Sequence, residues 1–247
     1  MQEKNDIIPF MPQERYFIEK NLTEGTQEVF VDQEYHHMSR VMRARIGDHV
    51  EIINGLGQLA TARVVALEKR RGVVDIESVF NEEKGSFDVI IAQAIPRINR
   101  LSFIIEKGTE LGMTAIWLFP GEYSEKTHVN EQRMRTIAIA AMKQSGRLFL
   151  PEIVVSRPLK EWEEMPCESF FGDIEPSAPL FADVWQKTQP KCGVCFFVGP
   201  ETGFSENEIE KLKTLKATGV KLHNNILRAD TAPLVALSLI QHWLLYL

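Results

Sequence analysis

Two short stretches of this chain concentrate groups that bind small ligands or stabilise developing charge. One is Val198-Gly199-Pro200-Glu201-Thr202-Gly203-Phe204; the other runs from Leu222 to Pro233 as LHNNILRADTAP. In the first, two glycines let backbone approach a ligand closely, Pro200 stiffens the turn, and Glu201 offers a carboxylate to hydroxyls or an amine. The pattern argues against a phosphate cradle, because the Lys-Ser/Thr ending of such loops is missing and Glu201 would repel the anion. The second stretch sets Asn224, Asn225, Arg228 and Asp230 around the apolar pair Ile226 and Leu227, a combination that suits a flat purine. Spacing alone leaves blander readings open. The first stretch also suits a tight turn with no ligand, and in the second Asp230 or Thr231 could simply cap the following helix while Arg228 pairs with it.

Both stretches follow an apolar run and precede a helical pattern, the place where open α/β sheets put their ligands. The runs DVIIAQAI, AIWLF and GVCFFVG read as buried strands. INRLSFIIEKGTELG reads as a helix with positions 98, 101, 104, 105, 108 and 111 on its inner face, and NEQRMRTIAIAAMKQSG as a second helix ending near Gly146. PLKEWEEM is expected to start a third helix after Pro158. Ser205 with Glu208 forms a capping box that opens ENEIEKLKTLK, Gly219 is expected to terminate that helix before the strand VKL, and a closing helix runs from about Thr231 to Leu247 with Pro233 in its first turn. Such alternation implies a mostly parallel α/β sheet covered on both faces.

The N-terminal third is different. RYFIE, EVFVD, HVEIING, QLATARVVAL and GVVDIESVF alternate with turn signals, as in a small β-barrel or sandwich. One helix interrupts them, with Asp32 as the expected N-cap and Tyr35, Met38, Val41 and Met42 on one face. The polar stretch NEEKGSF marks the boundary, giving expected domains 1–79 and 80–247.

The 247 residues are 44% apolar, enough for a packed core, and carry a formal charge of −6. Split near residue 80, the first part holds ten Lys and Arg against thirteen Asp and Glu, the rest eighteen against twenty-one. No broad basic field exists, so any nucleic-acid site must be a local patch. Cys192 and Cys195 form a C-x-x-C pair, but no second pair or His cluster completes a metal site. With Cys167 they read as buried structural thiols, and no metal is expected. MQEKNDIIPF lacks a long apolar core and no segment reaches roughly 18 uninterrupted apolar residues, so the chain reads as cytoplasmic and free of membrane.

The two stretches also carry a resemblance. GPETGFSENEI followed by LHNNILRADTA is similar to the signatures GPEGG-x-S-x-x-E and LG-x-R-ILR-x-ETA of the SPOUT-class family that methylates N3 of a uridine in 16S ribosomal RNA, the RsmE type. Lys107 to Met113 resembles its K-x-x-ELG-V segment. Gln144, Ser145, Arg147 and Pro151 resemble a helix ending EQ-x-x-R before PEI, and His37, Arg40, Val41 and Arg43, then Gly47-Asp48, resemble an H-x-x-x-VLR element. The matches run in order over nearly the whole chain. They imply a small PUA-like β-barrel domain, RNA-binding, followed by a SPOUT-type α/β domain whose parallel sheet is knotted as a trefoil, an exception to the usual threading rule. They further imply S-adenosyl-L-methionine as cofactor, 16S ribosomal RNA of the small subunit as substrate, and a homodimer.

On this resemblance the cofactor would meet Gly199, Pro200, Glu201, Gly203, Leu222, Asn225, Ile226, Leu227 and Thr231, with Gly172 supplying a third wall. Arg228 is the candidate for stabilising a uracil anion, with Asp230 or Glu201 holding its proton or orienting the guanidinium. RNA contact would fall to Arg15, Arg40, Arg43, Arg45, Lys69, Arg70 and Arg71, joined by Lys126 and Arg147. The chain departs from the family at Thr202 and His223, where glycines are usual, at Asn225 for Arg, at Asp230 for Glu and at Lys126 for Arg. A rival reading follows from those departures, a non-catalytic RNA-binding or assembly protein whose pocket has drifted. Another is a SPOUT methyltransferase acting on a different RNA.

Overall fold

The computed structural model describes residues 15–125 and 127–246. Lys126 therefore lies outside the described residues. The chain divides into two compact units, Met1–Lys84 with Met142–Leu150, and Gly85–Ala141 with Pro151–Leu247.

The first unit is one five-stranded sheet, in the order β1-β3-β4-β5-β2. Its strands are β1 (Arg15–Phe17), β2 (Gln27–Phe30), β3 (His49–Ile53), β4 (Gln58–Leu67) and β5 (Gly72–Asn81). All neighbours are antiparallel except β1 and β3. The period-2 pattern works as expected: Ala60, Ala62 and Val64 of β4 point into a core with Tyr16, Phe30, Ile52, Val74 and Ile76, while Arg63 faces solvent. A smaller cluster joins Ile53 to Met142 and Leu148, so the segment 142–150 is part of this unit's interior. The NGLG turn requires glycine at 57, where φ is +95° and an added Cβ would lie 2.5 Å from the Phe149 ring.

The helix of this unit departs from expectation. α1 (Asp32–His36) gives way to a π-helical turn over His37–Val41, closed by the Met42 N–H donating to the His37 carbonyl five residues back. Asp32 has φ +48° and does not cap the helix; the N-cap is Val31, with extended backbone and no side-chain bond. Met38 is fully buried as expected, but the wider turn carries Val41 off that face, leaving it 57% exposed.

The second unit holds an all-parallel six-stranded sheet in the order β11-β9-β10-β6-β7-β8. The strands are β6 (Asp88–Ala94), β7 (Ala115–Phe119), β8 (Glu152–Val155), β9 (Glu168–Gly172), β10 (Gly193–Val198) and β11 (Thr218–Val220). Every residue of β10 is buried, which is why GVCFFV carries no polar alternation. The helices are α2 (Ile98–Glu110), α3 (Glu131–Ser145, of which 142–145 belong to the first unit), α4 (Phe181–Thr188), α5 (Glu206–Thr214) and α6 (Ala232–Leu244). α6 packs on α2, β6 and β10 through Ala236, Leu237 and Ile240.

The capping box is present in full: Ser205 Oγ accepts from the Glu208 N–H at 3.1 Å, and Glu208 Oε2 accepts from the Ser205 N–H at 2.9 Å. Three expectations fail. PLKEWEEM makes only a single 3-10 turn, Leu159–Glu161, because Trp162 turns extended to pack on Trp117, Phe119 and Phe197 and to donate its indole N–H to the Arg157 carbonyl. α5 ends before Lys216, whose φ is +61°, and Gly219 lies inside β11 instead, where an added Cβ would meet Asp173 Oδ2 at 2.7 Å. Neither Asp230 nor Thr231 caps α6 with its side chain: Thr231 holds the N-cap position but its Oγ1 donates to Asp230 Oδ1 at 3.3 Å, and Pro233 fills the first turn.

Candidate active site

β11, β9 and β10 are neighbours and parallel, so the loops leaving their carboxyl ends lie side by side. They enclose a cleft of about 680 Å³, within the range of small-molecule sites. Gly172, Gly199, Pro200, Glu201, Gly203, Leu222, Asn225, Ile226, Leu227 and Arg228 all line it. Thr231 is not among the lining residues; it sits exposed at the start of α6.

Local sterics dictate the loop after β10. A Cβ at Gly199 would come 3.0 Å from the Gly203 carbonyl carbon and the Phe204 nitrogen, so the chain folds back on itself there. Gly203 has φ +82°, open to glycine and strained for other residues. Thr202, which stands where the family has glycine, is not among the residues with positive φ, so that departure imposes no backbone strain. Beneath the loop lies Gln93 of β6, fully buried, whose Nε2 donates to the carbonyls of Ala94 at 2.9 Å, Gly199 at 3.2 Å and Val198 at 3.4 Å.

Glu201 turns its carboxylate back toward α2. Its Oε1 accepts from the Arg97 N–H at 3.1 Å and lies 3.4 Å from Arg100 Nε, which is also 4.0 Å from Asp230 Oδ2. Asp230 thus pairs with Arg100 and not with Arg228, an exposed residue that lines the cleft. Sequence reasoning missed both Arg100 and Gln93. The available signals were a charged residue beside the apolar stripe in the first turn of a helix that follows a strand, and a lone amide in a wholly apolar strand. In the loop after β11, His223 Nδ1 accepts from the Asn225 N–H at 3.0 Å and Ile226 is 79% exposed.

In the first unit Arg40, Arg43, Arg45, Lys69 and Arg70 are exposed, as a phosphate track requires. Arg71 is exposed but held bidentately by Glu68 at 2.8 and 2.9 Å. Two of the expected contacts are less exposed. Arg15 is 6% exposed and paired with Glu51 at 2.8 Å, its register partner across β1 and β3, so its guanidinium is committed to the interior. Arg147 is partly buried, and desolvation lowers its pKa to about 10 against the opposing pull of Glu82. His37 lies against the Tyr16 ring at 5.7 Å, and His36 is exposed.

Cys195 is buried and Cys167 partly so; desolvation raises the Cys167 thiol to about 12, which makes it a poor nucleophile. Cys192 is exposed. Among the described residues no cluster of three or more His, Cys, Asp or Glu could hold a metal ion. Among the described residues no helix is long and apolar enough to cross a membrane.

Residues 83–241 match the model of an RNA methyltransferase domain, and residues 32–77 that of an RNA methyltransferase PUA domain. Ribosomal RNA small subunit methyltransferase E of Buchnera aphidicola is 25% identical, covering 96% of this chain and 94% of its own length. The protein of the same name from Bacillus subtilis is 26% identical, over 93% and 96%. Among solved structures, ribosomal RNA small subunit methyltransferase E of Neisseria gonorrhoeae bound to S-adenosyl methionine superposes with a TM-score of 0.84. It is 28% identical and the match covers 94% of this chain and 98% of that one. The chain therefore belongs to the RNA methyltransferase family, of the RsmE type and the SPOUT α/β fold, with a PUA domain preceding the methyltransferase domain.

Proposed function

We propose that the cleft binds S-adenosyl-L-methionine and that the chain transfers its methyl group to N3 of a uridine in 16S ribosomal RNA of the small ribosomal subunit. The observation that carries this reading is the cleft itself. Its size, its two glycines that admit close backbone approach, its apolar Ile226 and Leu227, and a fixed carboxylate at Glu201 fit a nucleoside bearing an amino-acid tail. The Neisseria relative bound to S-adenosyl methionine supports it.

When bound, the cofactor supplies a methyl carbon activated by a sulfonium. The chain's own task is to present the uracil in line with that carbon and to ease loss of the N3 proton, since neutral N3 has no free pair to attack with. Arg228 reaches the cleft without a carboxylate partner among the described residues, so its charge is available to a uracil oxygen on which negative charge gathers. Asp230 is the acceptor for the N3 proton, and Glu201 holds the cofactor.

Arg40, Arg43, Arg45, Lys69 and Arg70 provide the local basic patch for RNA in an otherwise acidic chain. A homodimer in the cytoplasm completes the reading, with the loops at the cleft knotted as the resemblance implies. Calorimetric titration with S-adenosyl-L-methionine, followed by mapping of the methylated nucleotide on small subunits, tests it. Saturable binding that weakens in Glu201→Ala, with a new N3-methyluridine in 16S RNA, is the expected result. Absence of binding at millimolar cofactor would leave an RNA-binding protein with a drifted pocket.

A further inference from the structure

Three charged side chains from three separate stretches of chain meet at the edge of the cleft. Arg100, in the first turn of α2, places Nε 3.4 Å from Glu201 Oε1 and 4.0 Å from Asp230 Oδ2. The side chains of Arg100 and Asp230 are 21% exposed and that of Glu201 22%. Two carboxylates gathered in a partly desolvated cleft repel one another, and a single guanidinium between them offsets that cost and fixes where each points. Glu201 is held a second time, because the same oxygen accepts the Arg97 N–H at 3.1 Å. Its other oxygen, Oε2, has no hydrogen bond among the described residues, and Glu201 lines the cleft, so that oxygen is free to accept from a donor on a ligand. The trio sums to one negative charge, which complements a ligand carrying a sulfonium and an ammonium group.

We infer that Arg100 is a positioning residue of the cofactor cleft. It ties the loop after β10 to the segment before α6 through Glu201 and Asp230, and it aims Glu201 Oε2 at a hydroxyl or ammonium donor of the bound nucleoside. This rests on the reading of the cleft as an S-adenosyl-L-methionine site. The role is separate from that proposed for Arg228, which has no such carboxylate partners among the described residues.

Calorimetry on the full-length chain tests the inference with two ligands, S-adenosyl-L-methionine and S-adenosyl-L-homocysteine, which share hydroxyls and ammonium but differ in the sulfonium charge. Arg100→Met is expected to weaken both about tenfold, the scale of one charge-assisted hydrogen bond. Arg100→Lys, which keeps the charge but loses the planar fork, should recover part of the loss. Because Arg100 acts through Glu201, the double variant Arg100→Met/Glu201→Gln should bind no more weakly than Glu201→Gln alone. Unchanged binding in Arg100→Met, a loss confined to the sulfonium ligand, or additive losses in the double variant would each overturn it. If Arg100→Met does not fold, Arg100→Lys combined with Glu201→Gln decides by the same non-additivity. Failure of the wild-type chain to bind either ligand would overturn the reading of the cleft instead.

Discussion

The two principal walls of the cleft are built in opposite ways. The loop after β10 is over-determined: Gly199 admits no side chain, Gln93 holds its carbonyls from below, Glu201 is tied to α2 by Arg97 and Arg100, and the Ser205 capping box locks the exit into α5. The loop after β11 has little of this. It is held by the Lys221 bridge to Leu180, the His223 to Asn225 bond, the turn where Thr231 and Ala232 donate to the Arg228 carbonyl and, at its far end, the 4.0 Å contact of Asp230 with Arg100, and residues 223–226 are exposed between them. One wall is ready before a ligand arrives; the other gains most of its contacts from the ligand. Affinity and stability should therefore separate, with substitutions in the first loop affecting both and substitutions in the second affecting affinity alone.

Gly199→Val should break the comparison most forcefully. A branched side chain 3.0 Å from backbone atoms forces the loop open, at a cost of about 3 kcal/mol, and abolishes cofactor binding by calorimetry. Gln93→Leu removes the donor shared by three carbonyls and should cost about 2 kcal/mol in denaturant unfolding, with weaker cofactor binding as well. Ser205→Ala should lower stability by about 1 kcal/mol through loss of the cap, and a midpoint unchanged from wild type would show that the helix start does not brace the loop. Ile226→Ser is the sharpest contrast: unfolding should move by less than about 0.5 kcal/mol, yet cofactor affinity should fall about tenfold. Equal losses of stability in Gly199→Val and Ile226→Ser would erase the distinction between the walls.

What could be read ahead of the structure followed how local each cause is. The capping box, the alternation in β4 and the unbroken apolar run of β10 are decided by neighbours in sequence, and each stands where the pattern put it. Arg15 illustrates the opposite case: as one of the first domain's arginines it suggests a phosphate contact, and only its register opposite Glu51 makes it an interior ion pair. Trp162 likewise ends a helical pattern through rings supplied by β7 and β10. In the cleft, both loops were legible by composition, whereas Arg100 and Gln93 depend on which strands lie side by side, a fact that no local pattern carries. The π-helical turn after α1 arises from an i to i+5 bond that a 3.6-residue period does not anticipate.

The small interior cluster of Ile53 with Met142 and Leu148 bears on how the chain is made. The first unit is discontinuous, and its nascent polypeptide lacks part of its own interior until residue 150 has left the ribosome. By then the first two strands of the second unit's sheet, β6 and β7, are already synthesised. The two halves therefore mature together and not in succession, and a fragment ending at the polar stretch near residue 84 would expose Ile53 where the intact chain covers it.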